Sequence, residues 1–442
     1  MTHGHYKHPK EPKLKKTLSL FEITMYGVGL ILGAGIYVLI GRGAAIAGNS
    51  LWLSFVVATI IAALTGLSYC ELSSRFPKES AEYVYTKKTF NRNSFSFIIG
   101  WVLIFAGSVS ATAVAMGFSE YFATLMVWDF STIPFIAAGL IIILSIINFW
   151  GVKESARLNV IFTIVEMIGL LIIIAIGIPH LGSVDYLQTP GGGFAFADFS
   201  PIMAAAALIF FAYIGFDEMP KLIEETKNGA KVIPRALIYA LVISTILYIL
   251  VALSAVSVVP WSELKEAPLS TVVGTAWGPN GMLLMTIIAL FATFNTVLAI
   301  LMGFSRLMYG MASGGGLPPL LSRVHSGRRT PYVAILAIMV ISLFFLILGD
   351  ISILASVTDL GIFVVFFVIN ITLIALRYKD RKTKPHFKSP LNLGWFPIPA
   401  LLGIIAVITI MLNFEPIIYL YELGIIVIGL IIYFILKSLK KI

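Results

Sequence analysis

Gly27-Val28-Gly29-Leu30-Ile31-Leu32-Gly33-Ala34-Gly35-Ile36 puts four glycines into nine residues in the middle of the first long apolar run. Phe210-Phe211-Ala212-Tyr213-Ile214-Gly215-Phe216-Asp217 puts a glycine and then a carboxylate into the middle of the sixth. One glycine in an apolar helix is commonly a packing notch. Two interrupted segments at corresponding places point instead to an inverted repeat with a binding site at the interruptions. The units predicted are residues 18–178 and 200–376, five spans each.

Working outward, the composition sets the class. The 442-residue chain is 59% hydrophobic and only 12% charged, against about 25% charged in soluble domains. Its apolar residues come in long runs, such as 158–178, 236–259 and 396–414. A run of roughly 20 residues matches a hydrocarbon core of about 30 Å, and in lipid such a run must be helical to satisfy its own backbone. An all-α, multi-pass membrane protein follows. About twelve spans are expected, near 18–47, 51–74, 95–127, 131–150, 157–178, 200–225, 231–258, 280–312, 331–348, 351–376, 396–414 and 416–437. Residues 1–17 form a polar tail, 377–395 a loop, and 396–442 two additional helices with a C-terminal tail.

Basic residues orient the spans. They collect at Lys7 to Lys16, at Arg75 to Arg92, at Lys153 and Arg157, at Lys221 to Arg235, at Arg323 to Arg329, at Arg377 to Lys388 and at Lys437 to Lys441. Those are the N-terminus, every even-numbered exit and the C-terminus; Lys265 is the main exception. The alternation is the positive-inside pattern, so both termini are expected in the cytoplasm, and a prokaryotic cell membrane is the expected location. The net charge of +9 is spread over many short loops and is not a nucleic-acid-binding patch. The lone Cys70 excludes an intrachain disulfide. Three histidines in the first eight residues read as a solvated tail rather than a metal site, and His180, His325 and His386 lie in loops. No metal or cofactor is expected. The absence of a GxxxxGK[ST] phosphate loop argues against ATP drive.

An interrupted membrane helix offers opposite poles to one cavity. Freed amides at the start of its second half suit a carboxylate, and freed carbonyls at the end of its first half suit an ammonium or a cation. A zwitterionic α-amino acid satisfies both.

The chain resembles the amino acid–polyamine–organocation permeases, particularly their prokaryotic cationic-amino-acid-transporter-like branch. The resemblance rests on Gly33-Ala34-Gly35-Ile36-Tyr37, Phe211-Ala212-Tyr213-Ile214-Gly215-Phe216-Asp217, Glu224-Glu225-Thr226-Lys227-Asn228, Ile233-Pro234-Arg235-Ala236 and Ser305-Arg306-Leu307-Met308-Tyr309-Gly310-Met311-Ala312, in family order. Gly316-Leu317-Pro318 and Thr330-Pro331 follow. It implies a LeuT-type five-plus-five repeat and secondary transport of amino acids. It also implies a substrate carboxylate on the amides of Gly33, Ala34 and Gly35, and an amine on carbonyls of Ile31, Phe211, Ala212 and Ile214. Tyr213 and Phe211 are candidates for lining or gating.

Proton-driven relatives carry a lysine in span five. The register of Gly151-Val152-Lys153-Glu154-Ser155-Ala156-Arg157 places Glu166 there. Asn159, Thr163 and Glu166 share a helix face, and an ionisable residue inside a span is functional by default. Glu166 fits proton coupling. It also fits a structural carboxyl locked in hydrogen bonds, or a cation ligand together with Asn295 and Thr296. Asp217 is expected to cap the second break. Arg42, Glu120 and Asp359 are candidates for interhelical pairs or for lining the path; Glu22, Glu71, Arg306 and Glu422 are expected near the interfaces, snorkelling or positional. Loop departures from the family pattern are Pro77-Lys78-Glu79-Ser80-Ala81-Glu82-Tyr83 without paired glycines, Asn228-Gly229 in place of Asn-Pro, and Ser313 to Gly316 without an aspartate. The alternatives are a polyamine/amino acid antiporter, drawing on Glu120, Asp217 and Glu166, and a membrane-embedded enzyme or channel.

Overall fold

A computed structural model describes residues 18–76, 81–150, 156–223, 225–264, 268–380 and 385–439. Tail 1–17, Pro77 to Ser80, Gly151 to Ser155, Glu224 and residues 265–267 lie outside the described residues, as do 381–384 and 440–442. The sequence readings that fall on them are not addressed by the structure.

The fold is helical apart from a two-residue hairpin, β1 (Asn392–Leu393) with β2 (Phe396–Pro397). Its helices are α1 (Leu20–Ala47), α2 (Leu51–Arg75), α3 (Ala81–Phe90), α4 (Asn93–Met126), α5 (Ile133–Trp150), α6 (Ala156–Gly177) and α7 (Ser200–Ile209). They continue as α8 (Gly229–Val258), α9 (Pro268–Ser313), α10 (Tyr332–Phe345), α11 (Ile351–Lys379), α12 (Ile398–Met411) and α13 (Pro416–Ser438). Among the described residues, nine segments are long and apolar enough to cross a membrane. One of them, Leu20–Arg75, holds both α1 and α2, and two shorter apolar helices lie at Tyr332–Leu348 and Ile398–Met411.

Local chemistry sets the ends. Ser19 caps α1 in a reciprocal box: the Ser19 amide donates to Glu22 Oε2 (2.8 Å) and the Glu22 amide to Ser19 Oγ (3.4 Å), satisfying two otherwise orphaned donors. Asp350 caps α11 by accepting from the Ile353 amide at 2.9 Å. Within α9, Gly278 at φ +70° precedes Pro279. The left-handed glycine and the ring together turn the chain, so the segment before Gly278 is separate from the span expected from 280.

Packing is graded. α1, α4, α7 and α11 are buried over most of their length, whereas α5 and α13 turn large apolar side chains such as Phe135, Ile143, Leu423 and Phe434 outward. In water that surface would be a liability; against acyl chains it is the expected exterior. The burial of Thr163 and Glu166 beside exposed Ile161 and Ile168 turns the polar face of α6 into the bundle. The side chain of Asn159 is not described.

Two expectations are corrected. Glu71 does not snorkel: it is fully buried, accepts from Arg377 through both its oxygens, and also receives Arg75 at 3.0 Å and the Ser389 amide at 2.9 Å. Glu422 is buried against α11, its Oε2 lying 3.3 Å from the place a side chain on Gly361 would occupy. Position along a span sets the depth of a residue and not its direction, and both carboxylates point inward.

Candidate functional site

Both predicted interruptions are present. In α1 the helix is broken at Gly33, with φ −9° and ψ −147°. α7 stops at Ile209, a tighter turn runs over Phe210–Tyr213, Ile214 is extended, Gly215 adopts φ +124°, and a second tight turn runs over Phe216–Leu222. Gly215 needs its left-handed conformation; an L side chain there is strained.

The two breaks pack backbone on backbone. A Cβ on Gly35 would stand 2.5 Å from Ala212 Cα, and a Cβ on Gly215 would stand 2.9 Å from Leu30 Cβ and 3.0 Å from Leu30 O. Each glycine thus makes room for the opposite break. Tyr248 of α8 clasps the pair, its hydroxyl reaching Ile31 O and, at 2.8 Å, Ala212 O. One hydroxyl carries one proton, so these two freed carbonyls share a single donor. Three amides of the breaks are held by side chains. Thr296 Oγ1 accepts the Ala34 amide at 3.1 Å and donates to Ala292 O at 2.9 Å. Asp359 accepts the Phe211 amide at 3.1 Å, and Asp217 accepts the Gly215 amide at 3.0 Å, the capping role expected of it.

Beside the breaks lies a cavity of about 120 Å³. Ile31, Ala34, Gly35, Phe211, Ile214, Asn295 and Thr296 line it. Gly33, Ala212, Tyr213 and Glu166 do not. Tyr213 points away, its hydroxyl 2.7 Å from that of Thr59 and donating to Phe55 O at 3.3 Å, which makes it a packing residue here. Glu166 sits behind α1; its backbone carbonyl accepts from Tyr37 Oη at 2.9 Å. Its carboxylate is buried and has no partner in good hydrogen-bond geometry, Asn295 being the polar group that approaches it. Asn295 therefore joins Glu166 to the cavity wall.

The sequence reading missed the opposite wall. Ser110 and Val114 of α4, Thr358 and Ile362 of α11, and Ile300 and Gly303 of α9 line it, with Glu218 and the exposed Arg306 at one end. The small residues of α4 carried a signal: a Cβ on Gly107 would stand 2.2 Å from Phe304 Cδ2. At the other end of α1, Arg42 and Glu120 pair across to α4, as the sequence allowed. Among the described residues no group of three His, Cys, Asp or Glu could hold a metal.

Comparison with known proteins gives three kinds of relative. The family described as "Amino acid permease" matches residues 18–436. The "Branched-chain amino acid permease BcaP" of Bacillus subtilis (strain 168) is 32% identical, over 96% of this chain and 93% of its own. The "Methylthioribose transporter" of the same organism is 31% identical over 86% of this chain and 85% of its own. "Cationic amino acid transporter 4, vacuolar" of Arabidopsis thaliana is 30% identical over 83% of this chain and 64% of its own.

Proposed function

The chain belongs to the amino acid permease family, which makes it a multi-pass membrane transporter of amino acids and not an enzyme, and we propose that its cargo binds in the cavity beside the two breaks and crosses by alternating access. The observation that carries this reading is the reciprocal packing of the breaks at Gly35 and Gly215 against the cavity. Backbone there can leave helical geometry because it lines a cavity rather than lipid.

In this proposal the protein has twelve spans. Leu20–Arg75 counts as two, and Tyr332–Leu348 and Ile398–Met411 each cross. Units 18–178 and 200–376 form the inverted five-plus-five repeat, 396–442 adds two helices, and 1–17 and 377–395 face the cytoplasm with both termini. The carboxylate is taken by amides at Gly33 to Gly35, with Thr296 yielding the Ala34 amide as substrate arrives. The amine is taken by carbonyls of Ile31 and of the α7 break, Tyr248 giving up one of them.

A branched aliphatic side chain suits the wall of Val114, Phe211, Ile214, Ile300 and Ile362, and the relative named for branched-chain amino acids points the same way. The polyamine alternative is weakened. Glu120 is paired with Arg42, Asp217 is bound to the Gly215 amide, and Glu166 is outside the cavity.

Proton coupling is assigned to Glu166, acting on the site through Asn295. Such a carboxyl, buried among apolar side chains without a counter-ion, is most stable with a proton bound. A thermal-shift screen of the purified protein against the amino acids tests the substrate class, because a bound ligand raises the melting temperature by mass action. Leucine, isoleucine and valine are expected to stabilise; stabilisation by putrescine alone overturns the reading. Uptake by Glu166→Gln in proteoliposomes tests coupling. Its expected result is a rate that no longer rises with an inward proton gradient, and an unchanged gradient dependence refutes it.

A further inference from the structure

A second buried carboxyl bears on the α7 break from the far side. Asp359 lies within α11 and is fully buried. One oxygen accepts the amide of Phe211, and the other has no hydrogen-bond partner. Phe211 is part of the tight turn that interrupts α7, and its side chain lines the cavity. Asp359 itself does not line the cavity; its neighbour Thr358 does.

Among the described residues no cation compensates it. The elements packed on α11 are α2, α3, α4, α7, α12, α13, the Phe210–Tyr213 turn and β2. The acidic side chains of those elements are Glu71, Glu82, Glu120 and Glu422. Glu71 is taken by Arg377 of α11 and Arg75, Glu82 receives the Tyr69 hydroxyl, Glu120 is taken by Arg42, and Glu422 lies against Gly361. Lys379 is directed to Thr89 O, and the hydroxyl of Tyr213 to Thr59 and Phe55. Tyr121 donates to Tyr37 O. α7 and α12 carry no charged side chain. A carboxylate left alone in apolar surroundings with a single amide donor is disfavoured and takes up a proton instead. A metal ion is the poorer solution, because hard cations need several oxygens and the partner present here is an N–H.

We propose that Asp359 binds a proton in this conformation and is a positioning residue: it fixes the α7 break through the Phe211 amide, and the proton leaves when that amide does. Moving either half of α7 to open the opposite side of the cavity draws Phe211 N away from Asp359 and lets water reach the carboxyl. Proton occupancy at Asp359 and the position of the break are then linked, since each state of one favours one state of the other. The linkage rests on the alternating-access reading above; the protonation does not.

Infrared spectroscopy of the purified protein at neutral pH tests the protonation directly. Asp217 and Asp359 are the buried aspartates among the described residues. Protein grown with aspartate isotopically labelled at the side-chain carboxyl should show a buried carboxylic-acid band that shifts with the label, survives in Asp217→Asn and is lost in Asp359→Asn. If Asp359→Asn does not fold, the labelled wild type and Asp217→Asn decide. A label-sensitive band in both supports the proposal; its absence from either overturns it. Leucine uptake into proteoliposomes tests the linkage. Asn keeps an acceptor for the Phe211 amide but cannot titrate, so in Asp359→Asn the ratio of uptake with and without an inward proton gradient should fall to one. A retained ratio, or a wild type indifferent to the gradient, overturns the linkage. A wild type that does not carry leucine counts against the substrate proposed above and leaves the infrared result to decide the protonation.

Discussion

Replacing Gly35 by alanine adds one methyl group where the two breaks touch. Its carbon would lie 2.5 Å from Ala212 Cα, 2.9 Å from Ala212 Cβ and 3.1 Å from Ala212 N. Carbon atoms pack at about 3.5–4.0 Å, so the shortfall is about 1 Å. No rotamer change can absorb it, because the obstacle is backbone. Ala212 cannot simply retreat: its carbonyl accepts from Tyr248 at 2.8 Å, and the adjacent Phe211 amide is fixed on Asp359. On the other side, the Ala34 amide is bound to Thr296. The breaks must therefore separate as units, at the roughly 1–3 kcal/mol typical of overpacking. If that strain falls on the binding-competent arrangement, substrate affinity drops by about 5- to 150-fold. Thermal-shift titration of purified Gly35→Ala with leucine, isoleucine and valine measures this, with Gly139→Ala as control, since an added Cβ there meets nothing within 4 Å. A Gly35→Ala protein that binds as tightly as the control would refute the packing argument and, with it, the placement of the site at the breaks.

Tyr248→Phe removes the one donor shared by Ile31 O and Ala212 O; an unsatisfied buried acceptor costs about 1–3 kcal/mol, so a lower melting temperature in denaturation scans is expected together with slower uptake. Gly303→Val projects into the cavity, where nothing stands within 4 Å, and should shift uptake competition toward alanine and away from leucine and isoleucine. Glu71→Ala strands the buried Arg377 guanidinium, at about 3–5 kcal/mol for a broken buried pair, and should lower the yield of folded protein more than any substitution at the cavity wall.

The helix breaks were legible because the cause is local. Glycines at 33, 35 and 215 within apolar runs are where a membrane helix can be interrupted, and the structure interrupts it at Gly33 and Gly215. Thr296 was legible only through the resemblance; no periodicity links it to the Ala34 amide 262 positions away. Tyr248 was not legible at all. It is an aromatic residue in an apolar helix, and its role comes from two carbonyls on other segments. Tyr213 failed in the opposite sense: it belongs to the motif by sequence, but the turn over Phe210–Tyr213 aims its ring toward α2 and α8. Glu71 was misread because sequence position gives depth along a span but not which way a side chain points once other helices close around it.

The buried carboxyls sort by what meets them, and that bears on which of them can report the transport cycle. Glu71 and Glu120 each face an arginine, and such pairs act as struts, since losing one partner leaves an uncompensated ion. Asp217 accepts from an amide two residues back in its own turn, a contact that moves with the turn. Asp359 and Glu166 differ from these in geometry. Asp359 holds an amide of one break from another helix, and Glu166 lies behind the other break, its backbone tied to Tyr37 of α1. Among the described residues neither has a cation, and each keeps at least one carboxyl oxygen without a hydrogen bond. A group that is unpaired in one conformation and whose neighbours shift in the other is where a proton can be taken up and released with the motion. Each break thus has one such group behind it, on α6 for the first and on α11 for the second, so a proton bound at either one biases the half of the site that it adjoins.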